Sequence, residues 1–112
     1  MSKEKIKLYD YTNSPSATSP DQGDNVYKQI NPLIRSYLDR NVEFEIDFSK
    51  INNLTTAFLN NALGKLFYEF ETDKLLSLIS FTGLSTTMQI KTLKLTLSNA
   101  LALSQVNDHS EI

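Results

Sequence analysis

The segment IDFSKINNLTTAFLNNALGKLF (Ile46–Phe67) decides how the sequence is interpreted, because a strand pattern changes into a helix pattern within it. Val42–Phe48 alternates apolar with acidic residues, which is typical of a β-strand with one covered and one open face. Thr55–Phe70 places its apolar residues on one broad helical stripe. The sequence therefore predicts a strand and a helix that are joined by a turn over residues 49–53.

Two further strand and helix pairs are predicted on either side of this unit. The predicted strands are Lys5–Tyr9 and Leu75–Phe81, and the predicted helices are Asp24–Asp39 and Ser85–Leu103. Asp24, the first residue of the first predicted helix, is predicted to be its N-cap. The second has an apolar stripe to which Met88, Ile90, Leu93 and Leu97 contribute.

Three stretches depart from regular patterns. Pro32 lies inside the first predicted helix and predicts a kink there, or two short helices, because proline lacks the helical donor. Tyr11–Gly23 collects Ser, Thr, Pro and Gly without periodicity, so we expect a long loop. The polar residues from Ser104 onward predict a loose tail.

The alternation of strands and helices predicts an α/β fold with a small, mostly parallel or mixed sheet and helices mainly on one face. A chain of 112 residues is expected to form a single domain over residues 1–112. If the first strand lies beside Val42–Phe48, then Lys5 and Lys7 share the open face with Glu43 and Glu45.

The amino-acid composition argues against several classes of function. The net charge of -2 gives no electrostatic footprint for nucleic acid, and the absence of cysteine removes disulfides and thiolate chemistry. No signal peptide or membrane span is apparent, so we expect a cytoplasmic protein that does not bind a membrane.

Few residues suggest catalysis or metal binding. The one histidine, His109, lies in the polar tail, and the acidic residues Glu43, Glu45 and Asp47 belong to an open strand face, where a solvated surface is the simpler interpretation. Three glycines leave no phosphate-binding loop. We therefore expect no enzyme activity, no metal and no cofactor.

The junction between the central strand and its helix is the place where binding is expected. A helix that starts near Thr55 brings free backbone amides together with the hydroxyls of Thr55 and Thr56. Such a place accommodates an anion, including a phosphate carried by a threonine. The simpler alternative is that the threonines only cap the helix.

Ile46–Ile51 followed by Leu54–Asn60 resembles the signature of the STAS fold, in which a strand ends in Asp-aliphatic-Ser-x-aliphatic and the next helix opens with small hydroxyl residues. Asp47–Ser49 together with Phe58–Leu66 resembles more closely the STAS-like domains of bacterial proteins of unknown function. The likeness extends across residues 5–103.

This resemblance implies a regulatory module. In the related anti-sigma-factor antagonists, a serine at the helix start is phosphorylated by a histidine-kinase-like ATPase, and the added charge breaks the complex with that kinase. The serine corresponds here to Ala57, the adjacent serine to Thr56 and the preceding aspartate to Thr55. Because alanine cannot accept phosphate, the switch is lost or has moved to Thr56. Asn61 stands about where the STAS-like group commonly has glutamate.

Three functions remain open. The first is a non-enzymatic interaction module that binds an ATPase or kinase-like protein through the strand–helix junction. The second is a small-ligand or nucleotide sensor that binds an anion at the same helix start. The third is an enzyme with Asp47 or Glu69 as a base. The residues predicted to form the site are Ser49, Asn52, Asn53, Thr55, Thr56, Ala57 and Phe58.

Overall fold

A computed structural model describes residues 3–110 of the chain, and the side chains of residues 3–102. Residues 1–2 and 111–112 lie outside the described part. The strands are β1 (Glu4–Lys7), β2 (Ser16–Ala17), β3 (Phe44–Asp47), β4 (Asn53–Leu54) and β5 (Ile79–Thr82). The helices are α1 (Tyr9–Thr12), α2 (Pro20–Asp39), α3 (Thr56–Leu59), the π-helical turn (Asn60–Gly64), α4 (Leu66–Glu69), α5 (Thr72–Leu78) and α6 (Thr87–Ser110).

The strands form two small parallel sheets. β1, β3 and β5 make a three-stranded sheet with β3 in the centre, and β2 pairs with β4 in a two-stranded one. All of these pairings are parallel, so the predicted α/β class with a mostly parallel sheet is confirmed.

The apolar face of β3 and the stripe of the following helix form the centre of the core. Phe44, Ile46 and Phe48 have no exposed surface, and Phe58 and Leu59 are equally buried. The remaining fully or almost fully buried large side chains are Ile6, Leu8, Ile30, Ile34, Ile51, Leu63 and Leu66. The alternation in Val42–Phe48 therefore identified the covered face of the sheet correctly.

The opposite face of the sheet carries the predicted charges, but the prediction that it is open to solvent is wrong at Asp47, which is buried because Ser49 and Gly83 lie against its carboxylate. Lys5 is paired with Glu45, and Lys7 with Asp47, in the β1–β3 register. The Lys5 Nζ atom lies 3.9 Å from a Glu45 oxygen and 4.0 Å from an Asp47 oxygen. Because the lysine is half exposed, such pairs contribute little to stability. The opposite charges of the two strands nevertheless lie beside each other, as the sequence predicted.

The predicted loop at Tyr11–Gly23 is wrong for most of its length, because α1, β2 and the start of α2 fall within it. The N-cap of α2 is Ser19 rather than Asp24. The Ser19 hydroxyl accepts from the Gln22 amide at 3.1 Å, and the Gln22 side chain accepts in return from the Ser19 amide. This capping box with proline in the first turn starts the helix at Pro20.

α2 runs through Pro32 as one element, so the prediction of two short helices is wrong. Proline removes the hydrogen bond that its amide would donate to the Lys28 carbonyl, one turn earlier. Lys28 is exposed, so water can take that place.

The end of the chain differs from the prediction in two ways. Residues 75–78 belong to α5, and the third strand begins only at Ile79, because a short apolar run does not distinguish a helix from a strand. α6 begins at Thr87 and continues to Ser110, so the backbone predicted to be a loose tail is helical. The side chains from residue 103 onward, including His109, lie outside the described part.

α2 and the segment after β3 approach closely at Gly23. A Cβ atom there would lie 2.5 Å from the Phe58 carbonyl oxygen and 2.8 Å from the Asn61 Cβ atom. Both distances are shorter than real contacts of a Cβ atom, so only glycine fits at this crossing. The crossing fixes α2 against the helix start that carries the predicted site.

We expect Gly23→Ala to lower the free energy of unfolding by about 2 kcal/mol, because the added methyl overpacks a contact with backbone. Gly64→Ala is the matched control. Its Cβ atom would lie 3.8 Å from the Leu59 carbonyl oxygen and 4.0 Å from the Ala100 Cβ atom, an ordinary fit. Because alanine favours helices, the control should gain about 0.5 kcal/mol. Urea unfolding measures both, and equal effects would contradict the proposed crossing.

Candidate functional site

The carboxyl end of β3 is closed by a turn that Asp47 organises. Its Oδ1 atom accepts from the Ser49 amide at 2.9 Å and from the Ser49 hydroxyl at 2.6 Å. Lys50 follows with a left-handed backbone, at a φ of 70°. The turn is therefore held by its own side chains before the chain continues to the junction.

Gly83 presses against this turn from the end of β5. Its φ is +78°, and a Cβ atom there would lie 2.4 Å from Asp47 Oδ1 and 2.6 Å from the Ser49 amide nitrogen. Burial on its own raises the pKa of Asp47, but the hydrogen bonds from Ser49 and the charges of Lys5 and Lys7 outweigh it and place that pKa below its usual value. The lowered pKa makes the Asp47 carboxylate a weaker base, whereas a general base working near neutral pH has its pKa raised.

The loop after the turn is fixed by the two-residue β2–β4 sheet. The Pro15 carbonyl accepts from the amides of Asn52 (2.7 Å) and Asn53 (3.1 Å), and the Asn53 side chain donates to the Ser16 hydroxyl at 3.1 Å. This attachment was not predicted, because a pair of two-residue strands leaves no periodicity in the sequence.

Thr55 is the N-cap of α3. Its hydroxyl accepts from the Phe58 amide at 3.2 Å and donates to the Thr18 carbonyl at 2.7 Å. This hydroxyl therefore both donates and accepts a hydrogen bond within the chain. Thr55 performs the capping role that was the simpler alternative from the sequence.

Most of the predicted site residues lie together at the surface. Ser49, Asn52, Asn53 and Ala57 are exposed, and Thr55 and Thr56 are partly buried. Phe58 differs, because its side chain has no exposed surface and belongs to the core. It follows the cap by three residues and points inward with the apolar stripe, so its inclusion in a binding surface is corrected.

Gln89 completes the site from the other side, and the sequence analysis did not identify it. Its side-chain nitrogen donates to the carbonyls of Ile51 (2.9 Å) and Asn52 (3.2 Å), and its oxygen accepts from the Ser85 amide at 2.9 Å. The backbone amide of Gln89 also donates a hydrogen bond to the Thr86 hydroxyl. The Thr-x-x-Gln spacing before an apolar run was the available signal for this capping arrangement.

A shallow groove of about 420 Å³ lies between the junction and the start of α6. Its lining residues are Thr18, Asn52, Asn53, Leu54, Thr55, Thr86, Met88 and Gln89. Three of the predicted residues, Asn52, Asn53 and Thr55, therefore belong to one wall of a groove whose other wall is the start of α6. Met88, predicted to lie on the apolar stripe of that helix, instead has 70 % of its side-chain surface exposed at the groove.

The described residues include no group of three or more His, Cys, Asp or Glu side chains placed to hold a metal ion. Within the same part of the chain, none of the helices combines the length and the apolar character needed to cross a membrane.

Comparison with models of known protein families matches residues 22–89 to a STAS-like domain of unknown function (DUF4325). The matched segment is more than half of the chain and contains β3, the junction, β5 and the start of α6. Searches of curated proteins and of solved structures gave no match.

We expect Gln89→Glu to lower the free energy of unfolding by about 2 kcal/mol near neutral pH, because a carboxylate oxygen would face the carbonyls of Ile51 and Asn52 in place of a donor. Gln29→Glu, at an exposed position of α2, is the control and should change it by less than about 0.5 kcal/mol. Hydrogen exchange of the amides in residues 51–55 should accelerate in the Gln89 variant alone. Unchanged exchange there would show that this carboxamide does not hold the loop.

Proposed function

The chain belongs to the family of STAS-like domains of unknown function, and on this basis we propose that it is a regulatory protein-interaction module without enzymatic activity. Its docking surface consists of Asn52, Asn53, Thr55, Thr56 and Ala57, together with Met88 across the groove. We call this set the junction surface. One observation carries the proposal: these side chains are exposed or partly exposed on a backbone that is fixed from three sides.

The composition of the junction surface favours a macromolecular partner. It contains amides, hydroxyls and two small or apolar side chains, and none of its members is charged. A protein partner can cover such a surface without burying an unpaired charge. The groove is shallow and none of its lining residues is charged.

The rigidity of the surface also supports binding. β2, the Thr18 carbonyl and the Gln89 side chain each hold a different part of residues 51–55. A preorganised surface loses little conformational entropy when a partner binds. The class of partner that we propose, an ATPase of the histidine-kinase-like type, rests on the resemblance to anti-sigma-factor antagonists.

Thr56 is the residue at which phosphorylation would act. It is partly exposed in the first turn of α3, whereas the hydroxyl of Thr55 is committed to the cap. Ala57, at the position of the usual acceptor serine, has no hydroxyl. Phosphate on Thr56 would place about two negative charges in the middle of the junction surface and weaken a complex formed through it.

We expect Ala57→Arg to reduce capture of the partner ATPase from the native cell lysate by at least about tenfold, because the long side chain would occupy space within the proposed docking surface. Gln29→Arg, exposed on α2, is the control and should retain the ATPase. The measurement is quantitative mass spectrometry of protein retained by the immobilised chain. Equal retention by both variants, or no ATPase with the wild type, would refute the proposed docking surface.

We expect the captured ATPase to add a single phosphate to the wild type, seen by intact mass after incubation with ATP, and none to Thr56→Val. Thr55→Val is less suitable as a control because it removes the helix cap. Thr72→Val, at the start of α5, is the better one and should still accept phosphate. Phosphate that persists in Thr56→Val would place the acceptor elsewhere, and no added mass would mean that binding is not regulated in this way.

A further inference from the structure

The described part of α6 leaves three large apolar side chains exposed and buries two polar ones. Met88, Leu95 and Ile90 are 70 %, 54 % and 39 % exposed. Gln89 and Thr96, in contrast, are buried on the face that packs against the domain, alongside Leu93 and Ala100. Spacings of four, three and four residues place these four side chains on one side of the helix. Leu97 and Leu101 are partly buried and pack against the core as well, so Met88, Ile90 and Leu95 are the apolar residues that face away from it.

Two of the exposed apolar residues continue the junction surface along α6. Met88 lines the groove, and Leu95 follows it after seven residues, which is two helical turns on the same side. Lys91 lies between them, about one turn from each. We call Met88, Lys91 and Leu95 the α6 strip. It extends the junction surface by roughly 10 Å, since each residue adds about 1.5 Å.

Charge is unevenly distributed around this combined surface. Residues 48–64 and 75–102 contain three lysines, Lys50, Lys91 and Lys94, and no acidic residue, although the whole chain carries a net charge of -2. Among the ion pairs between described side chains, which involve Lys5, Arg35 and Lys65, none includes a lysine of α6. The two segments that supply the junction surface and the α6 strip therefore carry lysines and no acidic residue.

We propose that the α6 strip is the second half of the docking surface and that it binds an acidic segment of the partner protein, with an apolar side chain of that segment between Met88 and Leu95. This inference rests on the proposed function and adds the chemistry of the partner to it. The lysines supply charge complementarity, which selects the partner and accelerates its association, and the exposed apolar pair supplies buried area.

Other occupants fit the surface less well. A membrane-bound helix needs one apolar face opposite a charged one, but Ile90 lies two residues from Met88, on another side of α6. Nucleic acid requires many phosphate contacts, and three lysines on a chain of net negative charge are too few. A second copy of the chain would have to bring its acidic residues from outside this surface.

The first experiment places the photo-crosslinking amino acid p-benzoylphenylalanine at position 95 of the full chain in native cells, with position 29 as the control. We expect position 95 to cross-link to a protein segment of net negative charge, identified by mass spectrometry of the joined peptides. A neutral or basic segment, a lipid, a nucleic acid or a second copy of this chain would overturn the proposal, and so would no product from position 95.

The second experiment reverses the charges of α6. Lys91→Glu with Lys94→Glu should reduce retention of the captured partner by about tenfold or more, and Lys91→Arg with Lys94→Arg should preserve it. Because both lysines are exposed, circular dichroism is expected to show that each variant is folded. Raising the salt concentration should weaken the wild-type complex, whereas for the charge-reversed chain it should screen the repulsion from the acidic segment and cause no further loss of binding.

The proposed function and the acidic-partner inference can be refuted independently of each other. If Ala57→Arg loses the partner and the charge-reversed chain retains it, the acidic-partner inference is overturned and the proposed function stands. If the charge-reversed chain loses the partner and Ala57→Arg retains it, an acidic partner on α6 is supported, and the junction surface is removed from the proposed function.

Discussion

The carboxamide of Gln89 is the contact on which the geometry of the candidate site depends. It is 5 % exposed, and it joins two segments that are 37 to 38 residues apart by donating to the carbonyls of Ile51 and Asn52 while accepting from Ser85. Those carbonyls belong to a loop that no strand of the main sheet holds, and without this donor the Ile51 carbonyl would be buried without a partner. Together with the apolar packing of Leu93 and Ala100, this side chain sets the position of α6 against the junction.

The hydroxyl-rich start of α3 is also held by hydrogen bonds within the chain. From the sequence, Thr55 was one of two oxygens converging on a possible anion site. In the structure its hydroxyl accepts a hydrogen bond from the Phe58 amide and donates one to the Thr18 carbonyl. It thereby links the start of α3 to the residue after β2. What is left for an external molecule is a set of side chains on a fixed backbone. Such a surface offers the side chains that protein recognition uses.

The parts of the fold that could be predicted are those in which a periodic pattern coincides with a buried face. The alternation from Val42 to Phe48 predicted both the covered side of β3 and the lysines beside it, because period-two burial leaves a direct trace in the sequence. The short elements could not be predicted in this way: β2 and β4 have two residues each and exist through tertiary pairing. The start of α2 was misplaced for another reason, since a local capping box at Ser19 was present but hidden among turn-forming residues.

α6 shows most clearly where a pattern of hydrophobic residues misleads. Apolar residues are spread around this helix, so the sequence could not tell which of its sides would face the domain. The structure turns Gln89 and Thr96 inward, and the Thr96 hydroxyl is buried with no hydrogen-bond partner among the described residues. An unpartnered buried hydroxyl costs roughly 1 kcal/mol or more, yet Met88 and Leu95 stay in contact with solvent. The inward orientation is explained by Gln89, whose bonds to the loop require this side of α6 to face the domain. With Gln89 and Thr96 on the inner side, Met88 and Leu95 lie on the sides of α6 that face solvent.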